Sequence, residues 1–152
     1  MLSVLRRLAA FCLCLALCLG LAACDGSAKA KTATISPDDM AVIRRQAEGF
    51  TDAKDRLPEL AKLVNQRDWT FTRNLIHGPM QEVGREMLYI NQRLSKSERK
   101  EADQLANALK QALADLDEAA LLQDASRMQK AYSAVAAGFD AYSDVIPSEA
   151  LS

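Results

Sequence analysis

Apolar residues recur at steps of three and four along most of the chain beyond residue 36, and this period constrains the fold more than any other feature. A spacing that averages about 3.5 places such residues in one stripe along an α-helix. The stripe is most regular in residues 69–94, where it continues across the step Gly78-Pro79. Its members there are Trp69, Arg73, Ile76, Met80, Val83, Met87, Ile90 and Leu94. We therefore expect an all-α fold built from amphipathic helices.

Residues that favour helix starts divide the apolar rows into four predicted helices. The predicted starts are Ser36-Pro37, Asp68, the capping box Ser95/Glu98, and Asp124 or Ser126. Only a few residues separate successive rows, so neighbouring helices must run antiparallel. The sequence therefore predicts an up-down-up-down antiparallel four-helix bundle over residues 36–147. An extended coiled coil, in which partner chains cover the same stripes, is the alternative.

Two prolines interrupt the first two predicted helices. Pro58 falls inside the first apolar row, which includes Leu57 before it and continues through Ala61 and Val64 beyond it. A proline inside a helix removes one backbone hydrogen bond and clashes with the preceding turn. Because the apolar spacing continues past Pro58, we predict a kink there and not a new helix. The Gly78-Pro79 step is predicted to interrupt the second helix without a change of phase.

The first 23 residues have the pattern of an export signal. Arg6 and Arg7 precede residues 8–23, which are all apolar or small and too few for the ~20 apolar residues of a spanning helix. The segment ends in Leu21-Ala22-Ala23-Cys24, which resembles a bacterial lipobox. That resemblance implies cleavage before Cys24, with diacylglyceryl and N-acyl groups on this residue. An ordinary signal peptide that happens to be followed by a cysteine is the alternative.

Cleavage before Cys24 determines what we predict for the cysteines and for the two ends of the mature chain. Three of the four cysteines would leave with the signal and Cys24 would carry lipid, so no thiol would remain for a disulfide or a metal. Residues 24–35 are small and polar and are predicted to form a flexible, lipid-anchored tether. Residues 148–152 are predicted to form a C-terminal tail.

Most catalytic and metal sites are excluded by the residues that remain after the cleavage. The chain has a single histidine, His77, and would have no free cysteine, so it offers neither a nucleophilic triad nor a His/Cys zinc site. A ferritin-like di-iron site needs Glu three residues before each His, and Asn74 stands there. Haem held by His77 and a methionine is a further interpretation, but methionines in apolar rows more simply fill the core. We expect no catalytic residue, no metal ligand and no directly bound cofactor apart from the lipid.

The charge of the chain argues against binding of nucleic acid. Its 19 basic and 20 acidic residues become 17 and 20 once Arg6 and Arg7 are removed. A nucleic-acid-binding surface normally needs a basic field. The acidic residues Asp115, Asp117 and Glu118 either attract a cation or form an ordinary solvated helix face.

The predicted partner-binding residues are Trp69, Arg73, Asn74 and His77. Trp69 either closes the end of the bundle or anchors a partner. Arg73 occupies the apolar row and is predicted to pair with Asp68 or with an acid outside the domain. His77 either donates to a backbone carbonyl freed by Pro79 or contacts a partner as a pH-sensitive group.

The residues from Trp69 to Leu94, WTFTRNLIHGPMQEVGREMLYINQRL, together with the lipobox, resemble the PsbQ-like extrinsic lipoproteins of cyanobacterial photosystem II. The resemblance extends over about residues 37–146 and is most specific from Trp69 to Pro79. It implies a non-catalytic four-helix subunit on the lumenal face of the thylakoid membrane. The implied partners are the core antenna and the manganese-stabilising extrinsic subunit. The implied role is to stabilise the oxygen-evolving complex with its calcium and chloride.

Two other classes of function fit a lipid-anchored helical bundle. One is an adaptor or chaperone of the cell envelope. The other is a bundle that carries a metal or haem. Membrane fractionation of the host and a visible absorption band, respectively, would distinguish these functions from the photosystem role.

Overall fold

The computed structural model describes residues 35–151, which form six α-helices, one short 3-10 helix and no strand. The helices are α1 Pro37–Lys54, α2 Leu57–Gln66, α3 Trp69–His77, α4 Val83–Asn91, α5 Lys96–Leu121, α6 Ala125–Ser143 and the 3-10 helix Ser148–Ala150. The all-α prediction is confirmed. Within these residues no helix has the length and apolarity needed to cross a membrane. The predicted signal peptide and Cys24, with the tether up to residue 34, lie outside the described residues.

The predicted capping residues begin the helices. The Ser36 side chain accepts from the Asp39 amide at 3.1 Å, and the Asp68 carboxylate accepts from the Phe71 amide at 3.1 Å. Ser95 and Glu98 form the reciprocal capping box. Of the two starts proposed for the last helix, Asp124 is the cap. These side chains satisfy amides that have no partner inside the helix.

The predicted kink at Pro58 is wrong, because the helix ends and a second one begins. α1 ends at Lys54, residues 55 and 56 form a turn, and Pro58 lies in the first turn of α2. A proline is tolerated there because the amide at that position has no partner within the helix. The break also changes which residues point inward, since Leu60 is fully buried while Leu57 is only partly buried.

The Gly78-Pro79 step separates α3 from α4, yet the apolar phase continues across it as predicted. Residues 78–82 form turns in which the Met80 amide donates to the Leu75 carbonyl at 3.2 Å. Met80 is buried there and continues the row between the two helices. A β-carbon on Gly78 would lie 2.8 Å from the carbonyl oxygen of Asn74, so no other residue fits this turn without a shift.

The helices share one core of buried apolar residues. α1 packs on α4, α2 on α3 and α6, α3 and α4 on α5, and α5 on α6. The α5–α6 contact is close, because a β-carbon on Gly138 would lie 3.4 Å from the Leu109 α-carbon. The ring of Phe50 lies 5.3 Å from that of Phe139 and 5.0 Å from that of Tyr142, which links α1 to α6.

A hydrogen-bonded group of three polar side chains joins α4, α5 and α6, with Asn91 and Tyr142 buried in this core and Asp103 exposed. The Tyr142 hydroxyl lies 2.7 Å from Asn91 Oδ1 and 3.1 Å from the Met87 carbonyl oxygen, and it donates its proton to these acceptors. Asn91 in turn donates from Nδ2 to Asp103 Oδ1 at 2.7 Å. Burial, and to a lesser degree the negative charge of Asp103, raises the pKa of the Tyr142 phenol. The phenol therefore keeps its proton, and remains a donor, at neutral pH.

The residues that follow Pro147 lie against α1. The 3-10 helix packs on α1, with Ala150 buried and an Arg44 guanidinium nitrogen donating to the Glu149 carbonyl oxygen at 3.0 Å.

Substitution of Tyr142 tests the buried polar group. Tyr142→Phe removes the hydroxyl and leaves Asn91 Oδ1 and the Met87 carbonyl in an apolar surrounding, so we expect the free energy of unfolding to fall by about 1–3 kcal/mol. Urea unfolding followed by circular dichroism measures it. Tyr89→Phe is the matched control, because Tyr89 is 41% exposed and should change stability by less than about 0.5 kcal/mol. Equal effects of the two substitutions would contradict this account.

Candidate functional site

All four residues predicted to bind a partner line one open cavity of about 350 Å³. It lies between α3 and the end of α5. The lining residues are Trp69, Thr70, Arg73, Asn74, His77, Ala120, Leu121 and Gln123. Trp69, Arg73 and His77 are spaced by four residues, so successive turns of α3 bring them to one face.

Asp117 of α5 holds two of these residues together. Arg73 donates from Nε to Asp117 Oδ1 at 2.9 Å, and His77 Nε2 lies 2.8 Å from the same oxygen. The Asp117 side chain is 22% exposed, whereas that of His77 is 59% exposed. The pairing is therefore a clasp, made of Arg73, His77 and Asp117, that joins α3 to α5.

Two of the pairings predicted for Arg73 and His77 are wrong, while the contacts predicted for them with a partner stay predictions. The Asp68 carboxylate accepts a hydrogen bond in the first turn of α3 and does not pair with Arg73. His77 contacts a carboxylate and not a backbone carbonyl. The sequence contained one relevant signal, since the acids near the end of α5 face the start of α3 if the two helices are antiparallel. Which of those acids faces Arg73 and His77 depends on how α5 is rotated about its own axis. That rotation follows from the packing of α5 on the neighbouring helices.

The clasp lowers the pKa of Asp117. Burial acts to raise the pKa of this carboxyl, but the hydrogen bonds and positive charges of Arg73 and His77 outweigh it. His77 contributes its charge only when it is protonated. The carboxylate thus stays ionised and engaged through the ordinary range of pH.

The other two acids considered for cation binding also have partners. Glu118 accepts from Arg127 at 2.7 Å, and Asp115 accepts from Gln111 at 2.8 Å. Among residues 35–151 no group of three His, Cys, Asp or Glu side chains is placed to hold a metal ion. The acids at the end of α5 therefore take part in ion pairs and hydrogen bonds on the surface of the domain.

The rim of the cavity offers apolar and amide groups to the outside. Leu121 and Leu122 are each 58% exposed, and Trp69 is partly buried against the core. The Asn74 side chain is exposed and has no hydrogen bond within the part of the chain that the structure describes. Exposed apolar groups beside an unused amide suit contact with another protein surface. We call the surface formed by Trp69 and Asn74 of α3 together with Leu121, the last residue of α5, the α3 face.

Loss of the Asp117 charge should destabilise the domain in a pH-dependent way. Asp117→Asn removes both ionic contacts, and we expect the free energy of unfolding to fall by about 1 kcal/mol at pH 7. Because the folded pKa is depressed, this contribution is complete above the ordinary aspartate pKa of about 3.9 and is lost as the pH falls through the depressed value. The two unfolding curves should therefore converge at acid pH, below the depressed pKa of Asp117.

Asp115→Asn is the control for this measurement, since Asp115 lies on the same helix and contacts only Gln111. Its unfolding should match that of the unmodified chain at both pH values. An Asp117→Asn effect that is the same at acid and neutral pH would show that the charge is not responsible.

Comparison with known proteins identifies the family. The family model PsbQ, described as oxygen evolving enhancer protein 3, matches residues 3–147. CyanoQ of Synechocystis sp. is 28% identical over 115 residues, which cover 75% of this chain and 77% of CyanoQ. The resemblance inferred from residues 69–94 is confirmed, and the family agrees with the prediction that the chain is not an enzyme. Since the match extends over nearly the whole chain, the protein belongs to the PsbQ family.

Proposed function

We propose that the protein is an extrinsic subunit of photosystem II, bound on the lumenal side of the thylakoid membrane. Its role is to stabilise the oxygen-evolving complex and the calcium and chloride environment of that complex. The observation that carries the proposal is the family match over residues 3–147, whose family is described as an oxygen-evolving enhancer. The effect on calcium and chloride is indirect, through binding to other subunits, since none of the described side-chain clusters suits a metal ion.

The proposed architecture is four antiparallel rods in up-down-up-down order. α1 with α2 forms the first rod, α3 with α4 the second, α5 the third and α6 the fourth. The helix contacts support this order. α1, which is the first half of the first rod, packs on α4, which is the second half of the second rod. Likewise α2 packs on α3, and both α3 and α4 pack on α5. Antiparallel neighbours produce this pattern.

The α3 face is the proposed docking surface, with the photosystem core antenna and the manganese-stabilising subunit as partners. Arg73 and His77 contribute to this docking surface indirectly, because the clasp that they form with Asp117 holds α3 in place on α5. Their charges are partly balanced inside the domain. The binding energy should therefore come from the apolar rim and the amide, while the exposed part of His77 contributes orientation.

Lipidation of Cys24 is the proposed means of attachment to the membrane. The support is the sequence Leu21-Ala22-Ala23-Cys24 at the end of an apolar segment. Two or more acyl chains hold a protein stably on a bilayer. An anchor also raises the local concentration of the domain beside its partner, which permits a modest interface to remain occupied.

A double substitution on the α3 face tests the docking surface. Asn74→Ala/Leu121→Gln removes an exposed amide and an exposed leucine without touching the core, so the fold should remain. We expect affinity for solubilised photosystem II to fall about tenfold, which corresponds to about 1.4 kcal/mol. Binding is measured by capture of photosystem subunits on the immobilised, tagged chain at several concentrations.

The matched control is Leu88→Gln/Gln92→Ala, on α4 and at its C-terminal cap, where Leu88 is 51% exposed, comparable to Leu121 at 58%. This control should bind normally. If the two double variants bind equally well, the α3 face is not the docking surface. If even the unmodified chain captures no photosystem subunit, the proposed function itself is wrong.

Replacement of the cysteine tests the anchor. Cys24→Ser removes the only sulfur that the lipobox can modify, and we expect the chain to move from the membrane fraction to the soluble fraction after a high-salt wash. Mass spectrometry of the unmodified chain should show the acyl groups on the peptide that begins with Cys24. A mature chain without acyl groups would contradict the anchor.

A further inference from the structure

One carboxylate of the domain lies between two helices without a hydrogen-bond donor. The Glu86 side chain of α4 is only 13% exposed, and it lies against α1 at Gly49. A β-carbon on Gly49 would be 3.0 Å from both Cδ and Oε1 of Glu86, so the glycine makes the room that the carboxyl group occupies. Within residues 35–151 no hydrogen bond reaches this carboxylate. Its ionised form is therefore costly, because burial removes water and no donor replaces it.

The one ion pair of Glu86 among the described residues is long. The Arg85 guanidinium lies 4.0 Å from Glu86 Oε1, but it lies 2.7 Å from Glu82 Oε2. Two acids thus share one base, and the shorter contact belongs to Glu82. The helices that pack on α4 are α1 and α5. On α1 the charged residues within one turn of Gly49 are Arg45, Glu48 and Asp52, and on α5 Lys110 packs against Gly84 of α4. None of these four residues forms an ion pair with Glu86.

This environment changes the affinity of Glu86 for a proton. Burial raises the pKa of its carboxyl group, the positive charge of Arg85 acts to lower it, and the negative charge of Glu82 acts to raise it. The folded domain therefore holds this proton more tightly than the unfolded chain does. The resulting stabilisation is complete below the ordinary glutamate pKa of about 4.3 and is lost as the pH rises through the raised value.

We propose that Glu86 is a proton-sensitive contact between α1 and α4, through which the two helices pack more firmly as the pH falls. The neutral carboxyl group fits beside Gly49 without the cost of a buried charge. The ionised group has no donor there, so it favours arrangements in which α1 moves aside and water reaches the carboxylate. The exposed edge of the side chain gives protons access to it.

The domain then contains two acids whose responses to pH have opposite signs. The contribution of Asp117 is lost at acid pH, whereas that of Glu86 is lost as the pH rises. α1 also packs on the 3-10 helix, so a looser α1 would extend the effect to the C-terminal residues. We expect the domain to be most stable at mildly acidic pH.

Glu86→Gln tests the proposal, because glutamine has the shape of protonated glutamate and cannot ionise. In urea unfolding of the purified, detergent-solubilised mature chain at about pH 8, we expect a higher midpoint for the variant than for the unmodified chain. At about pH 3.5 both side chains are neutral, so the two midpoints should nearly agree. Loss of the Asp117 contribution affects both chains equally. A midpoint at pH 8 that is equal or lower in the variant would overturn the proposal.

Glu48→Gln is the matched control, since it removes an exposed acid that is adjacent to Gly49 on α1. Its midpoint should match that of the unmodified chain at both pH values. If this variant gains as much at pH 8 as Glu86→Gln does, the relief of overall negative charge explains both gains and the proposal fails.

Gly49→Ala tests the contact with α1. The added β-carbon would lie 3.0 Å from Glu86 Cδ and Oε1, so the carboxyl group must move. At pH 8 the gain from Glu86→Gln should be smaller in a chain that carries Gly49→Ala than in the unmodified chain, and the difference between the gains measures the coupling. Equal gains would show that burial against α1 is not the cause, which also overturns the proposal.

Amide hydrogen exchange locates the effect in the fold. With both chains at the same pH, near about pH 8, we expect slower exchange of the α1 amides in Glu86→Gln than in the unmodified chain. Unchanged exchange in α1 would refute the proposed loosening. The contact lies within the domain and needs no partner, so its failure leaves the docking proposal to its own test.

Discussion

The close packing of α5 on α6 is the contact on which the rest of the structure depends. Gly138 admits the Leu109 side chain and backbone, and the buried alanines of α5 keep the two helices near each other. α5 runs for 26 residues without a break and spans the described domain. Two of its acids bind side chains of neighbouring helices: Asp117 in the clasp and Asp103 through Asn91. One continuous helix thereby determines how far apart these contacts lie.

The interrupted helices have a different role. Pro58 and the Gly78-Pro79 step divide the first half of the domain into four helices, and each can take its own direction against the unbroken helices α5 and α6. α3 has only 9 residues, which is too short to be stable alone. Its position is secured by the Asp68 cap, its buried apolar residues and the clasp with Asp117. A short helix held in this way presents its outer residues rigidly, which favours recognition of another protein surface.

Among the buried side-chain polar atoms of residues 35–151, only the Thr72 hydroxyl oxygen has no hydrogen-bond partner. The carboxylate in the clasp, the buried amide and the phenol all have protein partners. Their hydrogen bonds hold these groups in fixed positions. Beside the clasp, the surface offers other molecules the apolar area around Leu121 and the amide of Asn74, which has no hydrogen bond among the described residues. That composition is the one expected of a subunit that acts by binding.

The helix starts and most of the buried rows followed from the sequence, because caps and a period near 3.5 are local properties. The local grouping of Trp69, Arg73, Asn74 and His77 was also predictable, since residues four apart share a helix face. The choice of Asp117 as their partner, the end of α1 before Pro58 and the burial of Leu60 were not. Each depends on how one helix is rotated against another, and that rotation is decided by the packing of side chains that lie far apart in the sequence.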